Sequence, residues 1–520
     1  MKGKLTLIVV LSLLLTIVSA TYAQTPQVLS VASTAGVTTW NPASSFSTEA
    51  LYMANIYETL LMVNPPDAEE AFSPVLATDW STSEDGLTWT FNLREGVTFH
   101  DGAPLTADAV VRSVNLAREI GGAGFIWFPL DTVEAVDDLT VQFNLSYPAP
   151  LELIVGSTYG AWIISPNALD AYEADNSYFD AGVASGTGPY MLGEYTPDAE
   201  VILMANEAYW GGWNDNQFNI VQVSIVADDV TQEQLLLGGE VDLALRLPPT
   251  SYQSLIDNPD FEVFTEATLF NYVGFINVLR PPLDNIAFRQ ALSYATPYQQ
   301  IIDVAAEGLA TQARGAVPNG VFPYSDDVPQ YSYDVDMAKQ LLEESGVDPS
   351  TVSLRITYAA ENAIEETMAP LLKDAWEQAL GIEVTIEAIL FGQQWAEAKD
   401  DPANAQDVFL LLYWPTYSDA GADNLWSMFR SSDAPFFNLS YWANEEFDSL
   451  IDEAGILSGT DSDAARDLYT QAQTLMVEEA PSLFFMDVST WYAVPTYLSG
   501  FDYNLNYPFS TFFYPMEVAQ

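Results

Sequence analysis

Few residue types capable of catalysis or metal binding occur in this chain, and their scarcity narrows its chemistry. There is one histidine, His100, and no cysteine. A multi-histidine zinc site and a thiolate site cannot form, cysteine nucleophiles are excluded, and a Ser-His-Asp triad would have to use His100. Neither G-x-S-x-G nor G-x-x-x-x-G-K-[ST] appears, which removes the nucleophile elbow and the Walker phosphate loop. Gly186 and Gly188 are followed by Pro189, the wrong start for a phosphate-cradling helix. The 72 Asp and Glu against 15 Lys and Arg leave a glycosidase carboxylate pair open. With so many acids, pairs fall at any chosen spacing by chance, so cleavage of glycosides stays a minor alternative.

Binding is better served by the composition. The 13 Trp and 27 Tyr supply flat rings that suit peptide side chains, sugar faces and cations alike, although each ring also serves as core. Arg246 stands just beyond Glu240-Val241-Asp242 and can hold a ligand carboxylate bidentately; a salt bridge to one of many neighbouring acids is its structural alternative.

The elements that must position these residues read from local pattern. Thr88-Trp89-Thr90-Phe91-Asn92-Leu93 alternates polar and apolar as a half-buried strand does. Glu95-Gly96 and Asp101-Gly102 are turn dipeptides that bracket a second short strand at Val97-Thr98-Phe99. His100 sits beside one turn, where a histidine bonded to backbone serves the fold alone. Thr106 caps an expected helix with Asp108 in its first turn and Val110, Val111 and Val114 on its apolar faces. Val408 to Trp414 is an apolar strand leading into Pro415-Thr416-Tyr417-Ser418-Asp419.

Lys2 and Lys4 precede an apolar run from Leu5 to Val18 and small residues at Ala20 and Ala23, the pattern of a secretory signal cleaved after one of those alanines. An uncleaved anchor is the other reading. The absence of cysteine removes the lipid-modified tether as well as disulfides, so free periplasmic residence is expected. Without a 23-residue signal, the 520-residue chain, 49% hydrophobic and 17% charged, is too long for one core and is expected to form two or three globular lobes. Its formal charge of −57 repels nucleic acid and anionic membranes. That charge fits a saline or acidic exterior and equally an ordinary acidic surface.

Longer blocks carry a family resemblance. Pro74 to Val114, with Leu93-Arg94-Glu95-Gly96-Val97-Thr98-Phe99-His100-Asp101-Gly102 at its core, resembles the N-terminal signature of the family 5 extracytoplasmic solute-binding proteins of ABC importers, the dipeptide, oligopeptide and nickel receptors. Further blocks follow in family order: Trp40-Asn41-Pro42, a first helix at Ile56 to Leu61, Gly186-Thr187-Gly188-Pro189-Tyr190, Tyr209 to Gly212, a strand at Gly238 to Ala244, Asn271 to Asn277, and Phe288 to Leu292. The resemblance spans about Val28 to Phe501. It implies an α/β, periplasmic-binding-protein type II-like fold, two lobes around a ligand cleft plus an inserted additional domain. The expected division is 24–60 with 186–270 and 482–520 as lobe I, 61–185 as the insertion, and 271–481 as lobe III.

The same resemblance implies a non-enzymatic, monomeric receptor without cofactor or metal, which captures di- or oligopeptides by lobe closure and passes them to permease and ATPase subunits. It places Trp40, Asn271, Tyr272, Trp414 and Tyr417 along the cleft. Peptide-binding members use an aspartate for the ligand's amino terminus; here the ungapped match puts Tyr417 there, with Asp419 two residues on. Leaving a buried ammonium without a carboxylate costs on the order of 3–5 kcal/mol, so either Asp419 substitutes or the ligand lacks a free amino terminus. Oligosaccharide is the second ligand class. Nickel chelates, disfavoured by the lone histidine, and a chemosensory role are minor alternatives.

Overall fold

The computed structural model describes residues 27–519 apart from 67, 361, 418 and 433–436, so the expected signal segment 1–23 lies outside the described residues. Three sheets of four or more strands organise the chain. A five-stranded mixed sheet has the order Leu243–Ala244, Val28–Ser33, Ile220–Ile225, Glu200–Ala205, Tyr190–Thr196, the first three strands parallel. A six-stranded mixed sheet runs Ala310–Gln312, Ser482–Pro495, Phe261–Ile276, Val408–Tyr413, Ser353–Ala359, Glu383–Ile389. Between Ala77 and Leu145 an antiparallel four-stranded sheet forms within the segment inserted after the first helix.

Thr88–Leu93 is the strand its alternation predicts. Trp89, Phe91 and Leu93 are buried, with Trp89 opposite Phe143 and Phe91 opposite Val141 across the ladder. Thr106 accepts from the Ala109 N–H and starts the helix Ala107–Ile120, which buries Val110 and Val114. Val97–Phe99 is not a strand. The reversal at Asp101-Gly102 follows at once, with Phe99 N–H bonded to Ala103 O, and leaves only a single bridge between Thr98 and Pro104. Two other expectations shift. The first helix is Ala50–Ile56 and the chain leaves it extended at Tyr57. The Ile56 carbonyl accepts from Gly188 N–H at 2.9 Å, so the glycine turn takes the bond that would have continued the helix. After Gly239 ends the helix Asp229–Gly238 in the left-handed region, only Leu243–Ala244 pairs as strand, because Asp242 uses its carboxylate to accept from Ser30 N–H.

His100 explains why two distant motifs coexist. Its N–H bonds Gly186 O at 2.9 Å and its Nε2 bonds Gly188 O at 2.9 Å. A carbonyl only accepts, so the proton is on Nε2. The histidine thus clamps the glycine turn from one side while the end of the Ala50–Ile56 helix holds it from the other.

Phe261–Ile276 and Ser482–Pro495 pair antiparallel along nearly their whole length. At one end Phe261, Val263, Trp491 and Ala493 pack with Ala32 and Ala244 of the five-stranded sheet. At the other Val273, Phe275 and Phe484 lie in the core beside the six-stranded sheet. This ribbon joins the two bodies. Among the described residues no helix is long and apolar enough to cross a membrane.

Candidate ligand-binding cleft

The joining ribbon is irregular where the two bodies meet. Ala267 faces Ser489 and Asn271 faces Asp487, so three residues, Thr268 to Phe270, oppose Val488 alone. The Thr268 hydroxyl donates to Val488 O at 2.6 Å and accepts from Phe270 N–H at 3.0 Å. A bulge re-aims the side chain it carries. Phe270 turns to Trp414, 6.2 Å away and nearly perpendicular, and to Phe509 at 4.9 Å. Trp414 also meets Phe509 at 4.9 Å and packs against the small cluster of Ala50, Ala123 and Tyr159, on which Phe46 packs as well. Rings from the five-stranded body, the insertion and the six-stranded body therefore converge on one tryptophan. Its indole N–H is buried beside the Tyr159 hydroxyl without hydrogen-bond geometry.

The loop after Trp414 is pinned from both sides. Asp423, fully buried, accepts from Tyr413 Oη at 2.9 Å, from Ser427 Oγ at 3.4 Å, and from both the N–H and the hydroxyl of Thr416. Burial still holds its carboxyl above the usual range against those donors. Asp423 sits in a π-helical turn, Gly421–Leu425, that leads into the helix Trp426–Phe429; such wide turns recur at functional sites. Across the gap, Ser157 of the insertion donates to Thr416 O at 2.7 Å.

Arg246 is exposed, and no carboxylate lies within 4.0 Å of it among the described residues. Its charge acts on Tyr272 of the opposite body, whose hydroxyl donates to Asn362 Oδ1 at 3.2 Å. Asn271 is fully buried, its Nδ2 donating to Ala316 O at 2.9 Å and its Oδ1 without a partner among the described residues. Tyr417 is buried against the core shared by the five-stranded body and the insertion. Asp419 is buried beside Tyr417 and Tyr469, and its Oδ1 accepts from Gly421 N–H at 3.0 Å. Trp40 packs with Tyr52 and Tyr195 in the same core that buries Tyr417.

Residues 71–436 match the family described as bacterial extracellular solute-binding proteins, family 5. The chain belongs to that family. This family 5 protein is 29% identical over 433 residues to the probable D,D-dipeptide-binding periplasmic protein DdpA of Escherichia coli, covering 82% of each chain. It is 28% identical to heme-binding protein A of Haemophilus influenzae, over 78% of this chain and 77% of that one. It superposes on the periplasmic binding protein DppA of Helicobacter pylori, solved with the peptide STSA, with a TM-score of 0.81 at 23% identity, covering 95% and 98% of the two chains. At that identity the likeness carries the fold, which is the type II periplasmic-binding-protein architecture.

Within the family 5 frame, sequence reasoning missed Phe46, Tyr159, Phe270 and Phe509. Their signal is weak, since each is a single aromatic in no motif of its own, Phe46 and Phe509 among polar neighbours. Only the bulge and the return of the C-terminal segment bring them to Trp414.

Proposed function

We propose that this chain is the extracytoplasmic substrate-binding subunit of an ABC importer, that it takes up di- or oligopeptides, and that it hands them to a membrane permease. The observation that carries the reading is Trp414, held on a loop pinned from both bodies and facing rings from each, with Arg246 standing unpaired opposite Tyr272. Apolar rings accept varied side chains, and a guanidinium facing the gap suits a terminal carboxylate. The names of DdpA and of the peptide-bound DppA support peptide. The proposed lobes are 24–60 with 186–270 and 482–520, the insertion 61–185, and 271–481, closing about the long ribbon. Asp419 acts in this reading by holding the Trp414 loop in place. The receptor works as an exported, periplasmic monomer and leaves its ligand intact.

The ring cluster favours one second reading, an oligosaccharide stacked on Trp414. A thermal-shift titration separates the two, using peptides with free or blocked termini alongside cello- and xylo-oligosaccharides. A ligand that binds only the native state adds about 2.7 kcal/mol at a hundredfold excess over its dissociation constant. Stabilisation by free peptides supports the proposal, and stabilisation by sugars alone replaces it with the second reading.

A further inference from the structure

A cavity of about 350 Å³ lies between the Ala50–Ile56 helix, the insertion and the C-terminal segment, and no described residue of 271–481 lines it. Its walls are aromatic, with Tyr57, Trp162, Trp210, Tyr507, Phe512 and Tyr514 among them, and the exposed Asp502 stands at its edge. One buried carboxylate reaches it. Glu58 is 7% exposed and accepts from Tyr209 Oη at 3.0 Å and from Trp210 Nε1 at 3.1 and 3.0 Å. The Thr187 hydroxyl faces the same carboxylate without hydrogen-bond geometry.

Glu58 has no ion-pair partner among the described residues. The nearest cation, Arg94, stacks on Trp210 at 4.0 Å and donates its Nε–H to Val75 O. Two more lining side chains are unpartnered. Thr158 and Trp162 are 2% and 5% exposed, and neither the hydroxyl nor the indole nitrogen has a hydrogen-bond partner among the described residues. A buried carboxylate without a counter-ion, ring faces that attract cations, and an unused N–H and hydroxyl describe a ligand by complement. The volume falls in the range of small-molecule sites, and a chain of charge −57 concentrates cations at its surface.

We propose that this cavity is a second ligand site, separate from the interlobe cleft, for a compact organic amine that carries an aromatic or aliphatic body and a hydroxyl oxygen. The ammonium pairs with Glu58, the body lies against the rings, and the oxygen accepts from Trp162 Nε1–H and meets the Thr158 hydroxyl. The site does not depend on what the cleft binds. Burial pushes the Glu58 carboxyl up to about 7. The other titratable or charged groups facing it are the phenols of Tyr209 and Tyr514 and the guanidinium of Arg94. Amine binding requires the carboxylate, so it strengthens as pH rises through 7.

The test is isothermal titration of the purified protein with tyramine, 4-ethylphenol and phenethylamine at pH 8 and pH 5.5. Tyramine should bind tightest, 4-ethylphenol roughly tenfold or more weaker for want of the ammonium, and phenethylamine in between. Tyramine affinity should fall about thirtyfold at pH 5.5, where few Glu58 side chains remain ionised. Glu58→Gln should abolish tyramine binding, and Met62→Trp, which plugs the cavity without touching Glu58, should do the same if the first variant folds poorly. Trp414→Ala should leave tyramine binding intact. Loss in Trp414→Ala with retention in Glu58→Gln would move the amine into the cleft and overturn the proposal. Equal binding of 4-ethylphenol, or no tyramine heat from the folded protein at either pH, would overturn it as well.

Discussion

Trp414 touches Phe270 and Phe509, and in the proposed cleft it is the side chain whose truncation is expected to weaken ligand capture. Central, desolvated tryptophans typically cost 2 kcal/mol or more when cut to alanine, so Trp414→Ala should weaken the cleft ligand about thirtyfold. Isothermal titration measures this, and unchanged affinity would remove Trp414 from the site. Arg246 is exposed and makes no ion pair among the described residues. Arg246→Ala should therefore leave melting unchanged while lowering affinity for peptides with a free carboxyl terminus; equal loss for amidated peptides would deny it that partner.

Two buried carboxyls set a further test at this scale. Burial raises Glu58 from 4.5, and Asp487 from 3.8, to about 7 in each case. Both bind a proton more tightly folded than unfolded. Their contribution is whole below the unfolded values and falls as pH rises from about 4 to 7, by on the order of 3 kcal/mol each. His100 works in the opposite sense, because burial lowers its pKa and the unfolded chain takes the proton first as pH falls below 6.5. Melting curves should show these two acids, with Asp423 raised in the same sense, outweighing the histidine, with the midpoint rising from pH 8 to 5.5. Glu58→Gln or Asp487→Asn should each flatten that rise, and parallel curves would show the carboxyl titrating normally.

At the scale of elements, the glycine turn at 186–188 shows how motif and fold constrain each other. A Cβ built on Gly186 would lie 2.1 Å from Ile56 O, and one on Gly188 would lie 2.7 Å from Asn55 O. Both glycines are needed for close approach to the helix end and not for backbone freedom. Gly186→Ala should cost about 2 kcal/mol or more, read as a lower midpoint in urea, whereas Gly36→Ala, with nothing within 4 Å of the added carbon, should be neutral. A stable Gly186→Ala protein would mean that the helix end yields. Much of this scale was legible in the sequence. The Thr88–Leu93 alternation and the Thr106 cap act locally, and the structure has them. Long-range features were not legible. The Thr268–Phe270 bulge depends on the register against Ser482–Pro495, and Glu58 reads as a helix residue until Tyr209 and Trp210, some 150 residues away, supply its donors. Of the residues quoted from family order, Trp414 lies among aromatic rings and Trp40 lies in a core, and neither environment is written in the local sequence.

For the whole molecule, charge is the dominant uncommitted quantity. The chain carries 72 acids against 15 bases, two of which are in the N-terminal segment. Among the described residues two bases serve more than one acid, Arg112 with Asp170 and Glu173 and Arg355 with Glu387 and Glu397. Such exposed pairs contribute roughly 0–1 kcal/mol, too little to offset repulsion among the remaining surface carboxylates. Helices show the same shortage. Asp334, Asn362 and Asn444 cap N-termini, while glycines rather than cations close the helices at Gly239, Gly346 and Gly381. Screening should therefore stabilise the protein. The Debye length falls from about 30 Å at 0.01 M to about 10 Å at 0.1 M and about 3 Å at 1 M, so most of the rise in melting temperature belongs in the first few hundred millimolar. A rise that grew only at molar salt would instead reflect exclusion of salt from apolar surface. NaCl and KCl should act equally, since screening reads charge and not ion identity. A flat curve at low salt would mean that the carboxylates are spaced widely enough for water alone to keep them apart, and the acidity would then confer solubility without any adaptation to a saline exterior.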